Sequence, residues 1–152
     1  MILEPYFDAI LALTAGEQPL RVRADEEALQ AITREVRELA ALYPTGRYTA
    51  ARSMCSYTHG HIHPDCPEEG CIIGLALQRC GISREYLERI ERSGRGTGVR
   101  AVLLPVGFEV PALADRHVSW LYHVQYRQDD EASMAEAVAS ADHLLQKKES
   151  LL

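Results

Sequence analysis

The sequence of 152 residues lacks several features that would place it in a particular class of protein. It has no run of about eighteen apolar residues, so we expect no membrane-spanning helix. Its first residues, Met-Ile-Leu-Glu-Pro-Tyr-Phe-Asp, lack the basic start and the small-residue cleavage site of a secretory signal peptide. We therefore expect a cytoplasmic protein whose four cysteines stay reduced rather than forming a disulfide framework.

Internal repeats, low-complexity tracts and long linkers are also missing. A hydrophobic content of 47% and a charged content of 25% are ordinary for a globular protein, and the length suits one buried core. We expect a single compact domain over residues 1–147, followed by a C-terminal tail over residues 148–152.

The spacing of apolar residues predicts a mainly α-helical fold of about six helices, with a small β-hairpin or strand near residues 47–58. The clearest helix runs from about Asp25 to Tyr43 and carries one continuous apolar stripe. Gly81 suits the C-terminal end of a buried helix that starts near Cys71, and Ser133-Met-Ala-Glu136 has the spacing of a capping box. Helices are predicted over about 5–15, 25–43, 71–79, 83–92, 113–130 and from 133 onwards, and the short piece 99–104 also suits a helix.

The charge balance argues against broad binding to a nucleic-acid backbone, because the net charge is −6 and such binding needs a basic face. One local exception is the segment over residues 79–100, which contains six arginines and only three glutamates. A DNA-binding regulator that uses Arg79–Arg100 is therefore one alternative function. The other interpretation of this segment is an ordinary solvated helix face.

Residues 55–71 contain three histidines and three cysteines, which are the side chains that zinc prefers. A structural zinc site would draw at most four ligands from Cys55, His61, His63, Cys66 and Cys71. Cys80 is excluded, because a helix over residues 71–80 would separate it from Cys71 by roughly 13 Å. The segment has no Cys-x2-Cys pair, so a surface loop with solvated histidines remains the alternative to zinc. A metal-dependent hydrolase or nuclease centred on the Cys55–Cys71 loop is a further alternative function.

Cys55-x-Tyr57 is followed by Gly70-Cys-Ile-Ile-Gly-x-Ala-Leu77 and later by Trp120 and Val124-Gln-x2-Gln-Asp129. This pattern resembles a group of small uncharacterised proteins encoded by actinobacteria and their phages. In that group a Cys-x-Tyr strand precedes a Gly-Cys-hydrophobic-hydrophobic-Gly helix, and a later helix carries Trp and a Val-Gln-x2-Gln-Asp element. Two positions depart from the pattern, since Glu131 replaces a usual turn glycine and Met134 replaces a usual aromatic residue. The matching segments are Cys55-x-Tyr57, Gly70-Cys-Ile-Ile-Gly-x-Ala-Leu77, Cys80-Gly-Ile82, Trp120-Leu-Tyr-His-Val-Gln-Tyr-Arg-Gln-Asp129, Glu136-Ala-Val138 and Ala141-Asp142.

The resemblance implies a phage-type accessory protein, and no catalytic signature stands out in the sequence. We therefore expect a non-enzymatic protein that binds and modulates a host or cellular protein. Gln125, Gln128, Asp129 and Asp130 form a polar cluster late on a predicted helix and are the candidate partner-binding residues. A capped and solvated helix end is the other interpretation of this cluster.

Overall fold

A computed structural model describes residues 26–50, 56–92 and 112–150 of the chain. Five helices lie in this part, which confirms the predicted mainly helical fold. The predicted helices over 5–15 and 99–104 and the candidate ligand Cys55 lie outside the described residues. The five helices are α1 Glu26–Leu42, α2 Ile72–Arg79, α3 Arg84–Arg92, α4 Ala112–Asp129 and α5 Met134–Ser150.

The only β structure in the described ranges is an isolated antiparallel bridge between Thr49 and His61. The Thr49 N–H donates to the His61 carbonyl at 2.8 Å, and the His61 N–H donates to the Thr49 carbonyl at 3.0 Å. The hairpin near residues 47–58 stays a prediction, because residues 51–55 lie outside the described part. The bridge does tie the segment after α1 to the loop over residues 56–71, which leads into α2.

The core forms where α1 packs against α2, α4 and α5, with α4 and α5 also packed on each other. Four of the five residues in the predicted apolar stripe are fully buried on α1 (Leu29, Ile32, Val36 and Leu39). The fifth, Tyr43, follows the end of the helix and packs partly buried against the same core. Helix α2 is buried from Ile72 to Leu77, so the short helix lies inside the domain. None of the helices in the described ranges is both long enough and apolar enough to span a membrane.

Two backbone hydrogen bonds end α4 at the turn that leads into α5. The N–H of Glu131 donates to the Gln128 carbonyl, and the N–H of Ala132 donates to the Arg127 carbonyl, both at 3.1 Å. This is the Schellman ending of a helix, whose central residue takes a left-handed conformation. Glu131 has a φ of 67°, a left-handed conformation that favours glycine.

The predicted capping box at the start of α5 is confirmed. The Glu136 N–H donates to the Ser133 hydroxyl, and the Ser133 N–H donates to the Glu136 carboxylate, both at 3.2 Å. Met134 follows the cap, is fully buried, and donates its N–H to the Gly46 carbonyl at 2.8 Å. The helix start is thereby attached to the segment after α1.

Three side chains join α1, α4 and α5 at one edge of the core. The Arg37 guanidinium donates to both carboxylate oxygens of Asp142, at 2.6 and 2.9 Å. It also lies over the ring of Trp120, 4.7 Å from the centroid, and the indole N–H of Trp120 donates to Asp142 at 2.9 Å. The hydrogen bonds from Arg37 lower the pKa of Asp142, so the carboxylate is ionised at neutral pH.

Candidate functional site

Tyr57 is the residue around which the loop over residues 56–71 is organised. Its hydroxyl accepts a hydrogen bond from the side-chain amide of Gln125 on α4 at 2.8 Å. Its carbonyl accepts from the side chain of Gln78 on α2 at 2.9 Å, and its N–H donates to Glu91 on α3 at 2.5 Å. One buried tyrosine therefore connects the loop to three different helices.

The glycines of the Gly70-Cys-Ile-Ile-Gly74 element leave room for the backbone of Tyr57. A Cβ atom at either glycine would collide with the Tyr57 carbonyl, and the backbone of this loop cannot move aside without disturbing its hydrogen bonds. Gly70 also has a φ of 139°, which L-residues rarely adopt. Close packing of the loop on α2 is thus a physical reason for glycine at both positions.

Gln128 and Cys71 together satisfy the buried N-terminus of α2. The side-chain oxygen of Gln128 accepts from the Ile72 N–H at 2.7 Å. The sulfur of Cys71, the N-cap residue, accepts from the Gly74 N–H at 3.3 Å. The first N–H groups of a helix have no partner within the helix, so this arrangement removes a cost of burying them.

The histidines of the loop have separate surroundings. His59 Nδ1 lies 4.0 Å from the Glu69 carboxylate, and both side chains are well exposed. The ring of His63 stacks on Tyr43 with centroids 5.2 Å apart, and its Nδ1 accepts from the Asp65 N–H at 3.0 Å.

The candidate metal ligands do not gather into one group in the described residues, where no three His, Cys, Asp or Glu side chains are placed to hold an ion. His61 takes part in the bridge to Thr49, and the buried thiol of Cys66 donates to the Glu68 carbonyl at 3.7 Å. Cys71 is fully buried and caps α2. Because the fifth candidate, Cys55, lies outside the described ranges, a zinc site that includes it stays a prediction.

Cys80 lies where the sequence placed it, at the end of α2 and away from solvent. Burial raises the pKa of its thiol to about 11, so the sulfur is protonated at neutral pH. Gly81 follows with a φ of 100°, and the Gly81 and Ile82 N–H groups donate to the carbonyls of Gln78 and Leu77 at 3.0 Å. The predicted glycine ending of this helix is therefore confirmed.

The hydroxyl of Ser56, at the start of the loop, contacts a carboxylate. Its Oγ donates to Glu91 at 3.1 Å, while the same oxygen accepts the N–H groups of Thr58 at 3.2 Å and His59 at 3.1 Å. These bonds define a serine-capped turn. The Ser56 hydroxyl thereby joins the first residues of the loop to Glu91 on α3.

Arginines at the start of the 79–100 segment pair with carboxylates. The guanidinium nitrogens of Arg79 lie 3.8 Å from a carboxylate oxygen of Glu35 and 3.4 Å from one of Glu68. A guanidinium nitrogen of Arg84 lies 3.9 Å from a carboxylate oxygen of Glu69. These two arginines therefore join α2 and α3 to the loop over 56–71 and to α1. Arg89 and Arg92 lie on α3 together with Glu85, Glu88 and Glu91, whereas Arg95 and Arg100 lie outside the described residues.

The outer side of α4 carries two exposed aromatic residues one helical turn apart. Tyr122 is 50% exposed and Tyr126 is 58% exposed, although most large hydrophobic side chains of the described core are buried. The ring of His123 lies beside Tyr126 with centroids 6.4 Å apart. Asp129 continues the same side of the helix, because residues three and seven positions apart share a face. We call Tyr122, Tyr126 and Asp129 the tyrosine face.

The structure divides the four candidate partner-binding residues into two pairs. Gln125 and Gln128 are 6% and 2% exposed and bind the loop and α2. Asp129 and Asp130 are exposed at the end of α4. Asp130 pairs with Arg127 at 3.3 Å, whereas Asp129 pairs with no cation among the described residues. Only the two aspartates are accessible to a partner in this conformation.

Comparisons with known proteins give no relative for this chain: no family model, curated protein sequence or solved structure matches it. The site is therefore interpreted from its own geometry. That geometry comprises a buried polar network centred on Tyr57 and, on the outside of the same helix α4, the tyrosine face.

Proposed function

We propose that the chain is a small non-catalytic accessory protein, of the phage type that the sequence resembles, which binds and modulates another protein through the tyrosine face. The observation that carries this proposal is the exposure of Tyr122 and Tyr126 on successive turns of α4. Tyrosine is enriched at the energetic centres of protein interfaces, because it buries a large rigid ring and keeps a polar end. Two such rings side by side form an anchor that a partner can cover.

The contacts on the buried side of α4 also favour a role for the tyrosine face in binding another protein. On the buried side of helix α4, Gln125 binds Tyr57 and Gln128 binds the start of α2. A face on a rigid helix loses little conformational entropy when it binds. The two glutamines thus serve the interface as positioning residues, while Asp129 and Asp130 lie at its accessible edge.

The reactive-type side chains near the loop support a non-catalytic role. The Cys71 sulfur caps α2, the Ser56 hydroxyl caps a turn, and the Cys66 thiol donates to a backbone carbonyl. Each of these groups has a hydrogen-bond partner within the loop or at the start of α2. A role in folding accounts for their positions without a substrate.

Affinity capture from a lysate of the organism that encodes the chain tests the proposal. The native protein is compared with the double variant Tyr122→Ser/Tyr126→Ser and with Leu42→Ser, which changes a 61% exposed side chain at the end of α1. We expect a partner in stoichiometric amount with the native protein and with Leu42→Ser, and its loss with the double variant. Failure to recover a partner, or its retention by the double variant, would contradict the proposal.

A further inference from the structure

We infer that the partner presents a basic segment, one arginine or lysine of which lies on the ring of Tyr126 and pairs with Asp129. This inference rests on the proposed function and specifies the chemistry of the partner. It is carried by the position of the exposed Asp129 carboxylate, which pairs with no cation among the described residues, next to the exposed ring of Tyr126.

Helix geometry places the two groups within reach of one cation. Asp129 follows Tyr126 by three residues, and side chains with this spacing are neighbours on a helix surface. A guanidinium or ammonium group on the ring gains a cation–π interaction, and from there it can also reach the carboxylate. Tyr122, one turn earlier, extends the aromatic surface for the apolar part of the same segment.

The charge of the surroundings favours a basic rather than an acidic partner. Asp129, Asp130 and Glu131 follow one another at the end of α4, and all three are exposed. Two arginines oppose them, since Arg127 pairs with Asp130 and Arg47 donates to the Glu131 carbonyl. The turn keeps a negative excess, and the whole chain carries a net charge of −6. Such a surface attracts basic segments and repels nucleic acid.

Photo-crosslinking identifies the partner residues that lie next to Tyr126. Tyr126 is replaced in the full chain by the photo-reactive amino acid p-benzoylphenylalanine, which keeps an aromatic ring at the position where the cation binds, and Leu42 is replaced in a control protein. After irradiation in the lysate, the crosslinked peptides are sequenced by mass spectrometry. We expect crosslinks from position 126 and not from position 42, to a partner segment with arginine or lysine within two residues of the crosslinked site.

A second measurement isolates the carboxylate. Asp129→Asn keeps an acceptor oxygen for the Gln128 side chain, which donates to Asp129 at 3.2 Å, and removes only the charge. We expect the crosslinking yield to fall about 3- to 10-fold, since one ion pair and one cation–π contact are weakened. Glu38→Gln, the same change at an exposed residue of α1, should leave the yield within about twofold, as expected for a surface charge outside the contact.

Four outcomes would overturn the inference, and only the last of them would also overturn the proposed function. Crosslinks from position 126 to a neutral or acidic segment would overturn the basic-partner inference and leave the proposed function intact. A yield that Asp129→Asn does not lower would do the same. Crosslinks between two copies of this chain would also overturn it, because the occupant would then be the chain itself. Loss of every crosslink at position 126 would overturn both.

Discussion

The side-chain oxygen of Gln128 accepts a 2.7 Å hydrogen bond from the Ile72 N–H, although the two residues are 56 positions apart. Gln128 lies near the end of α4, and Ile72 is the first residue of α2. Together with the bond from Gln125 to Tyr57, it joins the buried side of α4 to the loop and the helix that follows it. The outer side of the same helix carries the tyrosine face.

Replacement of Gln128 by leucine should destabilise the fold. Gln128→Leu leaves the buried Ile72 N–H without its acceptor, which costs about 1–3 kcal/mol of the free energy of unfolding. Urea denaturation followed by circular dichroism measures the change. Gln146→Leu makes the same substitution at an exposed site on α5 and should change stability by less than about 0.5 kcal/mol. Equal stability of the two variants would show that the bond contributes nothing.

Replacement of Glu131 by glycine should stabilise the protein. The residue has a φ of 67° at a helix ending that favours glycine, so Glu131→Gly should add about 0.5–1 kcal/mol. Glu131→Ala is the control for loss of the charge and should give no gain, because alanine keeps the strained conformation. Gly81→Ala should destabilise the equivalent ending of α2, where φ is 100°. Thermal melts of the three variants test this predicted order of stability. A melting temperature for Glu131→Gly below that of Glu131→Ala would refute it.

The pair of Arg37 and Asp142 should give part of the acid sensitivity of the fold. The pKa of Asp142 is lowered by its hydrogen bonds to Arg37, below the ordinary value of about 3.9. Its stabilisation is therefore present above that ordinary pKa and is lost as the pH falls through the lower, folded-state pKa. Because both side chains are more than one-third exposed, at 47% and 36%, we expect only about 0.5–1 kcal/mol.

Asp142→Asn tests this pH dependence and keeps an acceptor for the Trp120 indole. The difference in unfolding free energy between native protein and variant should be largest near neutral pH and should shrink as the pH falls below about 4. A constant difference between native protein and Asp142→Asn from pH 7 to pH 2 would be inconsistent with the lowered pKa.

The zinc prediction is decided by elemental analysis of protein purified without added metal. A structural site drawn from Cys55, His61, His63, Cys66 and Cys71 predicts one equivalent of zinc and a large fall in melting temperature in chelator. Cys66→Ser and Cys71→Ser should then each lower the zinc content, whereas Cys80→Ser should leave it unchanged. Metal-free protein that melts at the same temperature with and without chelator would overturn the prediction.

Local patterns in the sequence predicted the helices well, because their causes are local. The apolar stripe of α1, the Ser133–Glu136 capping box and the Gly81 ending each depend on residues within a few positions, and the structure contains all three. The role of Gln125 and Gln128 depends instead on partners 68 and 56 positions away. Sequence alone assigned both residues to an accessible cluster.

One signal for the buried glutamines was present in the sequence. Gln125 lies four positions after Leu121 and Gln128 lies four positions after Val124, two buried apolar residues of α4, so both glutamines share the side of the helix that faces the core. Polar residues at such positions need buried partners. The pattern does not say which partners, because the approach of Tyr57 and Ile72 depends on the path of the loop.

The affinity of the captured partner for the tyrosine face tests the central claim most directly. Calorimetric titration compares the native protein, Tyr122→Ser/Tyr126→Ser and the control Leu42→Ser, each first shown by circular dichroism to be folded. We predict that the double variant binds at least about 30-fold more weakly, because the two rings together should contribute about 2 kcal/mol or more to the binding free energy. Leu42→Ser should bind within about twofold of the native protein. Equal affinity of the native protein and the double variant would contradict the claim that this face is the binding site.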